Sequence, residues 1–144
     1  NHFQTSVEGF FAAGNVVHVY DLVDWVTGAG LRAGQSAAMY ANGVLCCDER
    51  KIPIRHGQNV HHVIPHFLDI SSLAGEEQQL QMRVTKPLEQ PVRVQVTDGS
   101  EVIASRTLPY ARPGEMVTIS LKEKHIDQIR NAEQLVVQVI KKED

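Results

Sequence analysis

The chain has 144 residues, 42% of them apolar, and a formal net charge of −3, enough for one ordinary domain or a small domain plus a fragment. The weak negative balance excludes a nucleic-acid footprint, which needs a clustered basic excess, and no apolar run approaches the ~18 residues of a membrane span. No signal-peptide pattern opens the chain, and its cysteines, Cys46 and Cys47, are adjacent, so a disulfide framework is not expected and a reducing, cytoplasmic setting is the default.

The chain opens without an initiator Met and in mid-pattern, which predicts a piece of a longer protein. Phe10, Phe11, Ala12 and Ala13 form a short, strand-like apolar run that stops at Gly14. From Asp21 to about Asn42, Leu22, Val26, Ala29, Ala33 and Ala37 recur at helical spacing. Asp21 is the expected N-cap, with Asp24 supporting the first turn. Gly28, Gly30 and Gly34 each cost about 1 kcal/mol of helix propensity relative to Ala, so a helix that keeps them is expected to pack against a flat partner. Asn42-Gly43 supplies the stop.

From about Lys51 the pattern changes to short strands. Val60–Phe67, Leu80–Thr85, Val92–Thr97, Val102–Leu108, Val117–Leu121 and Leu135–Ile140 are apolar and often alternate. Asp98-Gly99 is a hairpin signal and Pro113-Gly114 a loop. Residues His125 to Asn131 suggest one or two helical turns with Ile126 and Ile129 inward. The expected fold is mainly β: an immunoglobulin-like antiparallel β-sandwich over residues 50–144, preceded over residues 1–45 by a strand-turn-helix. The boundary is expected between Gly43 and Gly57.

The residues Thr5-Ser6-Val7-Glu8-Gly9-Phe10-Phe11-Ala12-Ala13-Gly14-Asn15-Val16 carry a more specific message. They resemble the closing flavin motif of the FAD-dependent pyridine nucleotide-disulfide oxidoreductases: Thr, a few residues, Gly, an apolar residue, Phe or Tyr, Ala, a small residue, Gly, Asp. The continuation His18-Val19-Tyr20-Asp21-Leu22-Val23-Asp24 resembles a branch often encoded beside glycerol-3-phosphate dehydrogenase-type subunits, whose chains carry an extra C-terminal β domain. The likeness is specific over residues 5–44 and only general over residues 58–144.

That resemblance implies a role for each residue of the turn. Gly14, lacking a Cβ, would let the backbone approach FAD. Asn15 stands where the family usually has Asp and would bond the ribityl and pyrophosphate portion, accepting through its carbonyl oxygen and donating through its nitrogen. Val16 and His18 would line the flavin. The helix start at Asp21, Leu22 and Val23 would direct backbone N–H groups at the pyrimidine side of the ring, where a helix N-terminus favours negative charge. The hydride chemistry would belong to FAD and NAD(P). A Gly-x-Gly-x-x-Gly after a strand, needed to hold each pyrophosphate, is not found in the sequence, so the chain alone is expected neither to bind FAD well nor to catalyse a reaction. Catalytic residues are not expected among these 144.

Other groups read as structural. Adjacent cysteines form only a strained ring, which favours free thiols over a redox pair. His56, His61, His62 and His66 cluster in sequence; on one continuous strand His62 and His66 would share a face, too few for zinc without help from a residue such as Asp48 or Asp69, so no metal is expected. His18 is either a flavin or substrate contact or a turn histidine. Trp25 is either core or turned toward the flavin domain. An apolar helix face without its domain seeks a partner, which predicts self-association by exchange of the N-terminal segment. The other expected partners are the rest of a parent flavoprotein and a partner subunit. A competing expectation is an immunoglobulin-like binding module with residues 1–44 as a leader; it offers only Phe67 and Tyr110 as aromatic residues after position 44.

Overall fold

The computed structural model describes residues 2–45, 50–73, 75 and 77–142. The chain divides into two compact units, residues 1–47 and 48–144.

In the first unit, a 3-10 turn over Gly14–Val16 precedes helix α1, Val23–Ala41. The apolar run before Gly14 is not a strand. Its ladder is a single bridge between Gln4 and Phe11, and among the described residues no further strand pairs with it to make a sheet. The helix starts later than Asp21. Leu22 occupies the N-cap in extended conformation and supplies no side-chain cap, with Asp24 in the first turn. The helix ends where Asn42-Gly43 predicts: Asn42 caps it and Gly43 has φ +67°. Ala29, Ala33 and Ser36 form its buried stripe. The expected flat partner is not found at Gly28, Gly30 or Gly34, where an added methyl group meets no described atom within 4 Å.

The second unit is mainly β. Its strands are β1 Lys51–His56, β2 Val60–Ile64, β3 Phe67–Asp69, β4 Gln78–Val84, β5 Val92–Thr97, β6 Val102–Leu108, β7 Val117–Leu121 and β8 Leu135–Lys141. They form a 5-stranded sheet in the order β3-β1-β8-β5-β6 and a 3-stranded sheet in the order β2-β4-β7. Alternation gives each strand one apolar face. Leu80, Met82 and Val84 of β4 and Val117, Ile119 and Leu121 of β7 join Val92, Val94 and Val96 of β5 and Leu135, Val137 and Val139 of β8 in one buried core. Direct cross-strand pairs such as Leu80–Ile119 and Val94–Val139 fix the register. Between β7 and β8, a 3-10 turn over Glu123–His125 runs into the short helix α2, Ile126–Ile129, which buries Ile129 and half-buries Ile126 as expected.

Three features depart from the sequence reading. The expected strand Val60–Phe67 is two strands, β2 and β3, in different sheets. Pro65 between them has no N–H to give a ladder. Residues 51–56 form a full strand despite Pro53, which pairs with Phe67 of the edge strand β3. The larger sheet is also not wholly antiparallel, since β1 runs parallel to β8 from Ile54–Leu135 to His56–Val137. That parallel pairing carries on into Gly57, whose N–H donates to the Val137 carbonyl at 2.7 Å. An added Cβ there would lie 2.8 Å from Val136 Cγ1, so only glycine fits so close a passage.

Candidate functional site

The residues singled out in the sequence lie together between Phe10 and Val26. Their local structure begins with a loop folded back on itself. Thr5 N–H donates to the Phe10 carbonyl at 2.8 Å and Ala12 N–H to the Phe3 carbonyl at 3.0 Å. The Thr5 hydroxyl closes a small turn with the backbone of Val7. The far end of α1 anchors the loop: the Tyr40 hydroxyl donates to Glu8 Oε1 at 3.2 Å, and Phe11 and Tyr40 meet edge to face. Arg32 lies over the Phe3 ring at 5.6 Å, a geometry favourable for a cation on an aromatic face.

Gly14 follows this loop with φ +74° and is buried. Left-handed backbone of this kind strains any residue with a Cβ. Its carbonyl accepts the N–H groups of Val17 and His18, at 2.9 and 3.2 Å. Asn15 Oδ1 then accepts the Tyr20 N–H at 3.2 Å, so the side chain spans the turn and points the chain into the helix. His18 and Tyr20 are buried and pack edge to face with centroids 5.1 Å apart. Burial raises the Tyr20 phenol above its ordinary pKa, with Arg32 opposing, so it is neutral at physiological pH.

Around this buried pair the apolar side chains point out. Val16 is 84% exposed, Val23 76%, Val19 69%, Phe10 66% and Leu22 57%. Single exposed apolar residues are ordinary; here five of them fall within fourteen residues around one turn. The helix starts inside this surface. Its first-turn N–H groups at Val23 and Asp24 have no carbonyl within the helix to accept them, and the Leu22 side chain caps nothing. Trp25 is half-buried, between the two expectations for it, and its backbone N–H donates to the Leu22 carbonyl at 3.2 Å. Thus Gly14, Asn15, Val16, His18, Asp21, Leu22 and Val23 all belong to one turn and helix start, with His18 and Gly14 inside it and Asn15, Val16, Asp21, Leu22 and Val23 on its surface.

The histidine group is arranged differently from the expectation. His61 and His62 are neighbours on β2 whose Nδ1 atoms stand 3.1 Å apart, while His66 lies on the connection to β3 and His56 ends β1. Burial lowers the His62 pKa, helped by the charges of His61, Arg83, His66 and His56. Asp69 is committed locally, its Oδ1 accepting from the Ser71 N–H and hydroxyl at 3.0 and 2.6 Å. Cys46, Cys47 and Asp48 lie outside the described residues. Among the described residues no three His, Cys, Asp or Glu side chains are grouped to hold a metal ion, and no helix is long and apolar enough to cross a membrane. Nothing in the sequence pattern pointed to the pairing of His61 with His62, because it depends on a register shift in β2. No protein-family model, curated protein or solved structure matches the chain.

Proposed function

We propose that residues 5–44 close the FAD site of a pyridine nucleotide-dependent flavoprotein whose dinucleotide-binding part is carried outside these 144 residues. The observation that carries this reading is the exposed apolar rim of Val16, Val19, Leu22 and Val23 around a helix start with no side-chain cap. Such a surface suits a large, flat, partly apolar ligand with an electron-rich edge, or the domain that holds it.

The residues fit the group. Gly14 supplies a bend that a side chain would strain. Asn15 uses its oxygen on Tyr20, which leaves its exposed amide nitrogen as a donor toward an anionic or hydroxylated ligand. That polarity suits a diphosphate better than the Asp of the family pattern would without a cation. Leu22 and Val23 offer apolar contact beside the helix N–H groups. Asp24 and Asp21 offset part of the favourable field there. Bound FAD would supply hydride exchange with a nicotinamide cofactor. This chain's part would be to hold the ring's edge, orient it and exclude water from it.

The β unit reads as a docking or assembly module for a partner subunit, built as an immunoglobulin-like sandwich. On that reading β2-β4-β7 would take the places of A-B-E and β6-β5-β8 those of C′-C-F, with β1, parallel to β8, beside it in place of strand G. The two-sheet β unit also supports a second reading, a binding module in its own right, since folds do not fix functions. The two readings differ in their use of the first unit. Joined to its flavin domain, the chain should yield a yellow protein with about one flavin per chain, and Leu22→Asp, which sets a negative charge at the helix start, should deplete it. A colourless full-length protein would favour the binding module.

A further inference from the structure

Residues 60–64 hold a second feature that the flavin reading leaves unused. In the pairing of β2 with β4, Val60 faces Val84 and His62 faces Arg83, so the register shifts by one residue at His61. A bulge of this kind re-aims side chains. Here Val60 and Val63 both stay in the core, and the imidazoles of His61 and His62 meet, rings edge to face and Nδ1 atoms 3.1 Å apart. Two neutral imidazoles share one proton across such a gap. The same separation suits two nitrogens on one metal ion. At about 2.0–2.1 Å from the ion each, they lie about 2.8–3.4 Å apart for angles between square and tetrahedral.

We propose that His61 and His62 form a cis bis-imidazole site for a divalent late first-row ion, of which Cu(II) is the strongest binder, through their two Nδ1 atoms. Imidazole pairs suit Cu(II), and the series of affinities peaks there. No third His, Cys, Asp or Glu among the described residues joins them. With two imidazoles as its protein ligands, the proposed ion keeps water in its remaining positions and exchanges freely instead of acting as a closed structural zinc. The metal takes the place of the shared proton. The ring that donated from Nδ1 regains a proton on Nε2 through solvent, and both rings stay neutral. Arg83, opposite His62 on β4, places a like charge against the ion and weakens it.

The test is titration of the whole chain with Cu(II) chloride, read by electron paramagnetic resonance. The expected result is about one Cu(II) per chain with two imidazole nitrogens. His61→Gln or His62→Gln each weakens it at least about tenfold, a loss that even outer-sphere partners of a ligand inflict. Arg83→Gln tightens it. In the unmutated sites, paramagnetic broadening of histidine resonances should strike His61 and His62 first, which covers the case of a variant that folds poorly. Unchanged binding in the His61→Gln/His62→Gln double variant, or first broadening at other histidines, would overturn the site.

Discussion

Asn15 Oδ1 accepts the backbone N–H of Tyr20 at 3.2 Å, five residues along the chain. This one bond closes the turn between the buried glycine and the helix, and it holds Tyr20 where His18 packs against it. Asn15→Ala removes the acceptor. It should lower the stability of the first unit by about 0.5–1.5 kcal/mol, the net worth of an ordinary hydrogen bond, as measured by denaturant unfolding followed through Trp25 fluorescence. Asn15→Asp keeps an acceptor oxygen and should lie close to the parent. Equal loss in both variants would show that the bond does not hold the turn.

The glycines of the first unit should respond in opposite directions. Gly14 has φ +74°, and Gly14→Ala should destabilise by about 1–2 kcal/mol, the cost of left-handed backbone for an L-residue. Gly30 and Gly34 lie inside α1 with open space around the missing Cβ, so Gly30→Ala and Gly34→Ala should each stabilise by about 1 kcal/mol. Under the proposed function the same two changes should impair flavin retention in the full-length protein, because the open face would then be the one a neighbouring domain packs on. Stabilisation with unchanged flavin content would place that domain elsewhere.

Acid should weaken the β unit through His125. Its Nδ1 accepts the Lys122 N–H at 3.0 Å, and burial, then Lys124 and Lys122, lower its pKa below the ordinary 6.5. A protonated ring cannot accept on Nδ1. The unfolded chain therefore binds the proton more readily than the folded one, and stability rises with pH across this window. The contribution is complete above the ordinary histidine pKa and is lost as pH falls from there through the lower folded value. His125→Asn keeps an acceptor without titrating and should flatten unfolding stability over that range. The Glu89 carboxylate, held below its usual pKa by the Arg112 hydrogen bond, adds a loss of the same sign at lower pH, abolished in Glu89→Gln.

The β core should behave as a close-packed interior. Leu80 and Leu135 are fully buried, one in each sheet, and truncation of either to Ala should cost about 2–5 kcal/mol. Against a total of about 5–15 kcal/mol for an ordinary domain, either change should lower the midpoint of the β unit sharply in calorimetry. Val16→Ala, at an 84% exposed position of the other unit, should leave that midpoint unmoved.

Strong local pattern made much of the β unit legible. In β5 and β7 the valines, isoleucine and leucine alternate with polar residues, and Asp98-Gly99 joins β5 to β6, so those strands lie where their sequence puts them. Strand β1 was not legible, because Pro53 argues against a strand and its parallel partner β8, paired from Ile54–Leu135 to His56–Val137, lies at the far end of the β unit in sequence, with six other strands between them. The continuous strand expected from Val60 to Phe67 failed at Pro65, and with it the shared face of His62 and His66. In the first unit the Gly14 bend and the Asn42-Gly43 stop were readable as backbone chemistry. The helix start was misplaced because Asp21 is a good cap by type, yet the turn closed by Asn15 and Tyr20 delivers Leu22 to that position.

The central claim is that the turn from Gly14 to Val23 lies against a flavin. The most direct measurement is the flavin-to-protein ratio of the full-length protein containing residues 1–144, by visible absorbance, compared with its Leu22→Asp and Asn15→Ala variants. The account predicts about one flavin per chain in the parent and a clear loss in both variants while the β unit stays folded by calorimetry. A full-length protein without flavin, or one whose flavin content ignores both changes, would contradict it.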